Sequence, residues 1–485
     1  MEGGLSTLRR HRYVLAPVLV LLVGAVVAGL LTGVIADAGR HTLRSTGLLT
    51  TGGASTLPPG TFSRPPVPPR TRAPEPRPDA PRAVLSPATP GTAPVAKRLT
   101  AKVEAIDRKA VTGTFGGAVL DVGTGKLVYG HNAAKAFLPA STLKLLTSAG
   151  ALSVLGPEHR FSTRVVSAGT GRVVLVGGGD PYLLKSPSAT DPDRASLSQL
   201  ADLAAKQLRS SKRTTVELGY DVSLFSGPAW HPDWPGKYRD QVTPVSALWV
   251  NEGRVGGAVG ARVPDPAKAA ADTFARALTD RGVAVSKVSR VKAPAKAAPL
   301  AAVQSLPLER IVEHLLMASD NDAAEVVARQ AAIGAGKPGS FAGAQQVLRA
   351  RLTELGIWDA DARIRDGSGL SRSNRAPADL MVKVMRLALG PAHPELRGVV
   401  TGLPVAGVEG SLRRRYAEKG TSAARGLVRG KTGTLTEVAG LVGFVRSDDG
   451  SLLAYAFLVN EATDFLATRI WLDQVTGALT TCGCR

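Results

Sequence analysis

A chain of 485 residues, 44% of them hydrophobic, is long enough for two or three domains and a sizeable buried core. Aromatic residues make up only 5%, so that core must rest on Val, Leu and Ala. The net charge of +21 comes without a basic helix or an array of basic and aromatic residues, which argues against nucleic acid and suits an anionic wall or membrane surface instead.

The first residues set the compartment. Arg9, Arg10, His11 and Arg12 precede residues 14–36, which carry no charge until Asp37. That run can cross a hydrocarbon layer of roughly 30 Å as one helix. The basic flank puts residues 1–12 in the cytoplasm and the remainder outside. Residues 13–36 read as a transmembrane anchor or as a cleaved signal sequence with Ala36-Asp37-Ala38 as its cleavage site; the length of the run favours the anchor. Residues 37–95, dense in Pro, Thr, Ala and Arg, include Pro65-Pro66-Val67-Pro68-Pro69 and read as a linker or stalk. Cys482 and Cys484 are the two cysteines, too close together to staple a fold.

Two short apolar runs flank Gly123-Thr124-Gly125, a hairpin signal. Leu143, Leu146, Ala149 and Leu152 then recur at helical spacing until Gly156-Pro157, placing Ser141 at the start of a helix. Residues 157–305 alternate short strands with helices near 195–209 and 267–281, ending in an exposed-looking Ala- and Lys-rich connection at 292–302. They read as an inserted α+β domain with its own core. Helices at 308–318 and 322–330 meet at Ser319-Asp320-Asn321, another helix spans 341–355, strands follow at 428–433, 441–445 and 452–459, and a last helix covers 462–479. Antiparallel strands from both ends with helices between predict an α/β/α sandwich formed by residues 96–156 and 306–485.

Three short motifs occur in order: Ser141-Thr-Leu-Lys144, Ser319-Asp-Asn321 and Lys431-Thr432-Gly433. A serine hydroxyl is a poor nucleophile until a base takes its proton. Ser and Lys three apart on a helix share a face, and a buried lysine near another cation, Lys431, gives up its proton more readily. Ser319 and Asn321 can relay a proton and hold an amide. A Lys-Thr-Gly run on an edge strand offers a cation, a hydroxyl and open backbone to an extended substrate ending in carboxylate. Ser-x-x-Lys alone is weak, since Ser289-Arg-Val-Lys292 fits it too, in a basic loop without helical pattern. The ordered set in its structural setting is what singles out Ser141.

These motifs resemble those of the penicillin-recognising acyl-serine enzymes. Nearly 180 residues separate Ser141 from Ser319, far more than a compact β-lactamase needs. With Gly177-Gly-Gly-Asp180-Pro181, Asp366-Gly-Ser368-Gly-Leu-Ser371 and Thr434-Leu435 after the third motif, the chain from about residue 96 resembles the D-alanyl-D-alanine carboxypeptidase/endopeptidase family S13, the class C low-molecular-mass penicillin-binding proteins. The resemblance implies that Ser141 forms the acyl-enzyme, Lys144 is its base and Ser319 relays the proton. It implies too that Asn321 binds the substrate amide, Lys431, Thr432 and Gly433 hold the terminal carboxylate end, and the amides of Ser141 and Thr434 form the oxyanion hole. Asp366 and Ser368 are expected to shape the wall of the site.

Peptidoglycan stem peptides would be the substrate, β-lactam antibiotics the inhibitors, and the location extracytoplasmic. No cofactor is expected. The seven histidines show no His-x-His or His-Glu-x-x-His spacing, so no metal is expected either. Asp180 and Asp221 read as turn caps, and Trp230, Trp234 and Trp249 as packing of the insertion. The rival readings are a serine β-lactamase and a non-catalytic wall-binding homologue. Against the first, Glu325, Glu354, Glu395 and Glu409 lack the Asn four residues on that a class A deacylating Glu carries; against the second, all three motifs are intact.

Overall fold

The computed structural model describes residues 94–256 and 261–482, so the basic N-terminus, the apolar run and the Pro-rich linker lie outside the described residues. Among the described residues no helix is long and apolar enough to cross a membrane. Helix α1 (Ala96–Glu104) buries Leu99 and Val103, one turn apart. Strands β1 (Thr114–Asp121) and β2 (Leu127–His131) pair antiparallel around the glycine-rich turn. Asp121 closes that turn, its Oδ1 accepting from the amide and hydroxyl of Thr124 at 2.7 Å each. The short β3 (Ala136–Phe137) leads into a 3-10 turn, Ala140–Leu143, and then α2 (Lys144–Leu155). Residues 144–152 of α2 are all buried, as a helix that is mostly apolar around its whole circumference must be.

Strands β4 (Ser162–Ser167) and β5 (Arg172–Val176), helix α3 (Leu197–Ser210), strand β6 (Thr215–Asp221), helix α4 (Pro266–Thr279) and strands β7 (Ala284–Arg290) and β8 (Pro299–Gln304) build a second sheet in the order β7-β6-β5-β4-β8. Its core, with Val173, Leu175, Leu218, Leu200 and Phe274, is formed entirely within residues 165–303. The structure corrects two sequence expectations here. Residues 299–302 belong to β8, which pairs with β4, and are not a connection. Ser289 lies on the edge strand β7 and not in a loop, and Lys292 comes two residues after that strand ends.

Helices α5 (Leu308–Ala318), α6 (Asn321–Gly334) and α7 (Phe341–Glu354) follow, then β9 (Ala376–Pro377), α8 (Ala378–Leu389), α9 (Arg397–Thr401), β10 (Arg429–Leu435), β11 (Val438–Arg446), β12 (Leu452–Asn460) and α10 (Phe465–Thr480). The main sheet runs β10-β11-β12-β1-β2 with every pair antiparallel. Period-two alternation sorts its residues: Ala454, Ala456 and Leu458 join the core beneath α2, α5, α6 and α8, whereas Leu453, Tyr455, Phe457 and Val459 join Leu99 of α1 and Trp471 of α10 on the other face. This is the expected α/β/α sandwich. A smaller cluster packs Trp234, Val242, Val245 and Trp249 against Val326, Phe341 and Leu370, so segment 230–250 lies against the helical layer beside the first two motifs.

Candidate active site

Ser141 sits on the 3-10 turn that precedes α2, not within the helix itself. In that geometry side chains three apart eclipse one another, and Lys144 Nζ lies 2.9 Å from Ser141 Oγ. The same ammonium donates to Asn321 Oδ1 at 2.7 Å and to the Ser368 carbonyl at 2.6 Å, so all three of its hydrogens have acceptors.

Ser319 ends α5 with a left-handed φ of 58° and Asp320 caps α6, accepting from the Ala323 amide at 3.1 Å. A left-handed serine costs on the order of 1–3 kcal/mol and persists where the surroundings over-determine it. Here the junction places Ser319 and Asn321 at the same cleft. Lys431 on the edge strand β10 donates to Ser319 Oγ at 2.8 Å and to the Thr432 carbonyl at 2.9 Å. Thr432 and Thr434 share the opposite face of β10 and line the cleft, where Thr432 Oγ1 meets Ser411 Oγ at 2.9 Å. Gly433 lets the strand approach the turn that carries Ser141, since a Cβ there would lie 2.6 Å from the Pro139 carbonyl.

The structure thus brings the residues of all three motifs around one cleft of about 550 Å³. Lys237, Tyr238, Asp240 and Gln241 from segment 236–241 form the opposite lip, and the Gln241 carbonyl accepts from Asn321 Nδ2 at 3.0 Å. Asp366 and Ser368 are buried and, like Lys144 and Lys431, do not line the cleft itself. Asp366 accepts from the amides of Gly369 and Ser371, from Asn374 Nδ2, and from Trp234 Nε1 at 2.8 Å. It organises the loop that carries Leu370 to the cleft.

Both lysines are fully buried. Burial pushes Lys144 down to about 8, opposed by the carboxylates of Asp320, Asp366, Glu325 and Asp322. Lys431 is pushed well below the ordinary lysine range, first by burial and then by the charge on Lys144. Burial, more than the second cation, is what loosens the proton on Lys144.

The sequence assigns no role in the site to Trp234, Glu325 or Asp322. Trp234 is more than packing, because its indole reaches Asp366. Glu325 is buried under the 366–369 loop, and burial together with Asp366 pushes its carboxyl up to about 7. A signal was present: Glu325 stands four residues after Asn321, on the same face of α6. Next to the site, Asp322 pairs with Arg262 at 2.9 Å and is pushed up to about 8 by burial and by Asp320. Asp180 and Asp221 do cap turns, accepting from the amides of Tyr182 and Ser223.

A Ser–Lys pair on an α/β/α scaffold, faced by a second serine and an edge-strand lysine, is the arrangement of the penicillin-recognising acyl-serine enzymes. The model of the D-Ala-D-Ala carboxypeptidase 3 (S13) family matches residues 99–259 and 256–480, and the chain belongs to that family. A carboxypeptidase of Mycobacterium tuberculosis is 36% identical over 431 residues, covering 86% of this chain and 91% of its own. The D-alanyl-D-alanine carboxypeptidase of an Actinomadura species is 30% identical over 444 residues, covering 73% and 80%. Among solved structures, penicillin binding protein 4 of Haemophilus influenzae superposes with a TM-score of 0.65 at 21% identity, covering 79% of this chain and 98% of that one, which supports the fold.

Proposed function

We propose that this protein is a serine-type D-Ala-D-Ala peptidase of peptidoglycan that works through an acyl-enzyme on Ser141. The observation that carries the reading is Lys144 Nζ, buried, with a lowered proton affinity, and 2.9 Å from Ser141 Oγ. With a pKa near 8, about a tenth of the molecules hold a neutral Lys144 at pH 7, against fewer than one in a thousand for an ordinary lysine. Neutral Lys144 takes the proton of Ser141 as Oγ attacks the carbonyl of the penultimate D-alanine. The departing D-alanine nitrogen receives a proton through Ser319, and water later releases the acyl group. The amides of Ser141 and Thr434 hold the oxyanion, a donor typically contributing about 2.7–4 kcal/mol. Lys431 and Thr432, with Gly433 of β10 set close against the turn that carries Ser141, receive the terminal carboxylate. Asn321 exchanges its Gln241 contact for the substrate amide.

β-Lactams acylate the same serine. Slow release follows from the missing class A Glu/Asn pair. The stem peptides lie outside the cytoplasm, so the enzyme works there, with residues 13–36 as its membrane tether and 37–95 as its spacer. Residues 157–305, read as a domain inserted into the peptidase domain of 96–156 and 306–485, supply segment 236–241 at the lip of the cleft and so select between trimming a terminal D-alanine and cutting a cross-link.

The test is release of D-alanine from a pentapeptide ending in D-Ala-D-Ala. The wild type should release it and Ser141→Ala should not; equal release by both overturns the proposal. Digesting cross-linked and uncross-linked muropeptides, with products identified by mass, assigns the subtype.

A further inference from the structure

The 366–369 loop is held from three sides. On one side the Gly367 carbonyl accepts from Thr147 Oγ1 of α2 at 2.7 Å. On another, Gly369 takes a φ of +88° directly against the nucleophile's turn, where a Cβ would lie 2.0 Å from the Ala140 carbonyl. On the third, Glu325 of α6 points its carboxylate into the loop. Its Oε1 accepts from the Ser368 amide at 2.8 Å, and both oxygens lie 3.1 Å from the Gly367 amide. Glu325 is 1% exposed and touches neither Ser141 nor Lys144 through any hydrogen bond among the described residues. The loop it holds presents the Ser368 carbonyl to Lys144 Nζ at 2.6 Å, the shortest of the three contacts that orient that nitrogen.

We infer that Glu325 is a positioning residue for acylation: through the Gly367 and Ser368 amides it aims the Ser368 carbonyl at Lys144 and thereby aims Lys144 at Ser141. The inference rests on Ser141 and Lys144 being nucleophile and base. Two buried N–H groups need an acceptor, and removing it leaves them unsatisfied and frees the loop to turn its carbonyl away. Lys144 then keeps two acceptors in place of three. Its nitrogen gains freedom in the direction that matters, because the amine must reach Ser141 Oγ along one line. A misplacement of about 1 Å in such a pair costs about 100-fold in rate.

The experiment follows labelling of the full chain by a fluorescent penicillin in time, so that rate and final amplitude are read separately. Glu325→Gln keeps an amide oxygen able to accept both N–H groups and should acylate within about threefold of the wild type. Glu325→Ala should label to full stoichiometry but about 100-fold more slowly. On a D-Ala-D-Ala peptide its loss should fall on kcat with KM held, since Lys431 and Thr432 are untouched. If Glu325→Ala does not fold, Glu325→Asp takes its place; its carboxylate is one methylene short, and about tenfold slower labelling at full amplitude is expected.

A residue that serves only stability lowers the amplitude and leaves the rate of the surviving fraction unchanged. That result, or equal slowing in the Gln and Ala variants, overturns the inference. Failure of the underlying site assignment looks different: Ser141→Ala protein would still take the label.

Discussion

The ammonium of Lys144 is held by three acceptors, and the proposed role of Lys144 as base requires the same nitrogen in its neutral form. Burial lowers its pKa to about 8. Below that pH the lysine is charged and cannot accept from Ser141, so the second-order rate of acylation by a penicillin should fall about tenfold per pH unit below 8 and level off above it. A rate that stays flat from pH 6 to 9 contradicts Lys144 as the base. Stability carries the same sign. The unfolded lysine titrates near 10.5 and the folded one near 8, so between those values the unfolded chain binds more protons and this group's contribution to stability rises with pH.

Most of the residues gathered at the cleft were legible in the sequence because each motif is three or four residues long and local geometry does the rest. Glu325 was not, although it stands on the same helix face as Asn321. Its meaning lies in a contact with residues 42 and 43 positions away, which no local pattern encodes.

At the level of elements, the site depends on how closely loops and strands approach the 3-10 turn. Gly369→Ala adds a methyl that the Ala140 carbonyl already excludes, and it does so at a φ of +88°. Penicillin labelling should fall at least tenfold, with urea unfolding showing a loss of about 1–3 kcal/mol. A variant that labels at the wild-type rate would mean the loop does not bear on the nucleophile.

On the far face, Arg415 is bound by both oxygens of Asp473 on α10, at 2.7 and 3.0 Å, and both side chains are buried. Asp473→Ala leaves the guanidinium buried without its partner, and equilibrium unfolding should lose about 3–5 kcal/mol. Elements with clean periodicity, such as β11, β12 and the flanking helices, could be read in advance. Strand β7 could not, because it is an edge strand whose residues are at best half-buried and include Lys287 and Arg290, so no apolar alternation marks it. Nor could the 3-10 turn under Ser141 be told from a first helical turn, since both place residues three apart on one side.

For the molecule as a whole, segment 230–250 is tied to the catalytic loops by side chains. Trp234 reaches Asp366, Asp233 accepts from Ser371 Oγ, the Thr243 amide donates to Asp322, and Asn321 reaches Gln241. The change of pattern over residues 157–305 raised the expectation of an insertion, but it could not show that part of this segment lines the cleft.

The described residues, 94–256 and 261–482, fall in one compact unit. A chain beginning at residue 86 should therefore acylate at the full-length rate. The full chain should sediment with membranes and the shortened one should not; equal sedimentation would contradict a membrane tether in residues 13–36.

Mapping the covalent adduct shows whether Ser141 carries the acyl group, as proposed. After incubation with penicillin and proteolysis, mass spectrometry should place the penicilloyl group on Ser141 alone and find none in Ser141→Ala protein. An adduct on another serine, Ser319 or Ser289 included, or no adduct in folded wild-type protein, would contradict it.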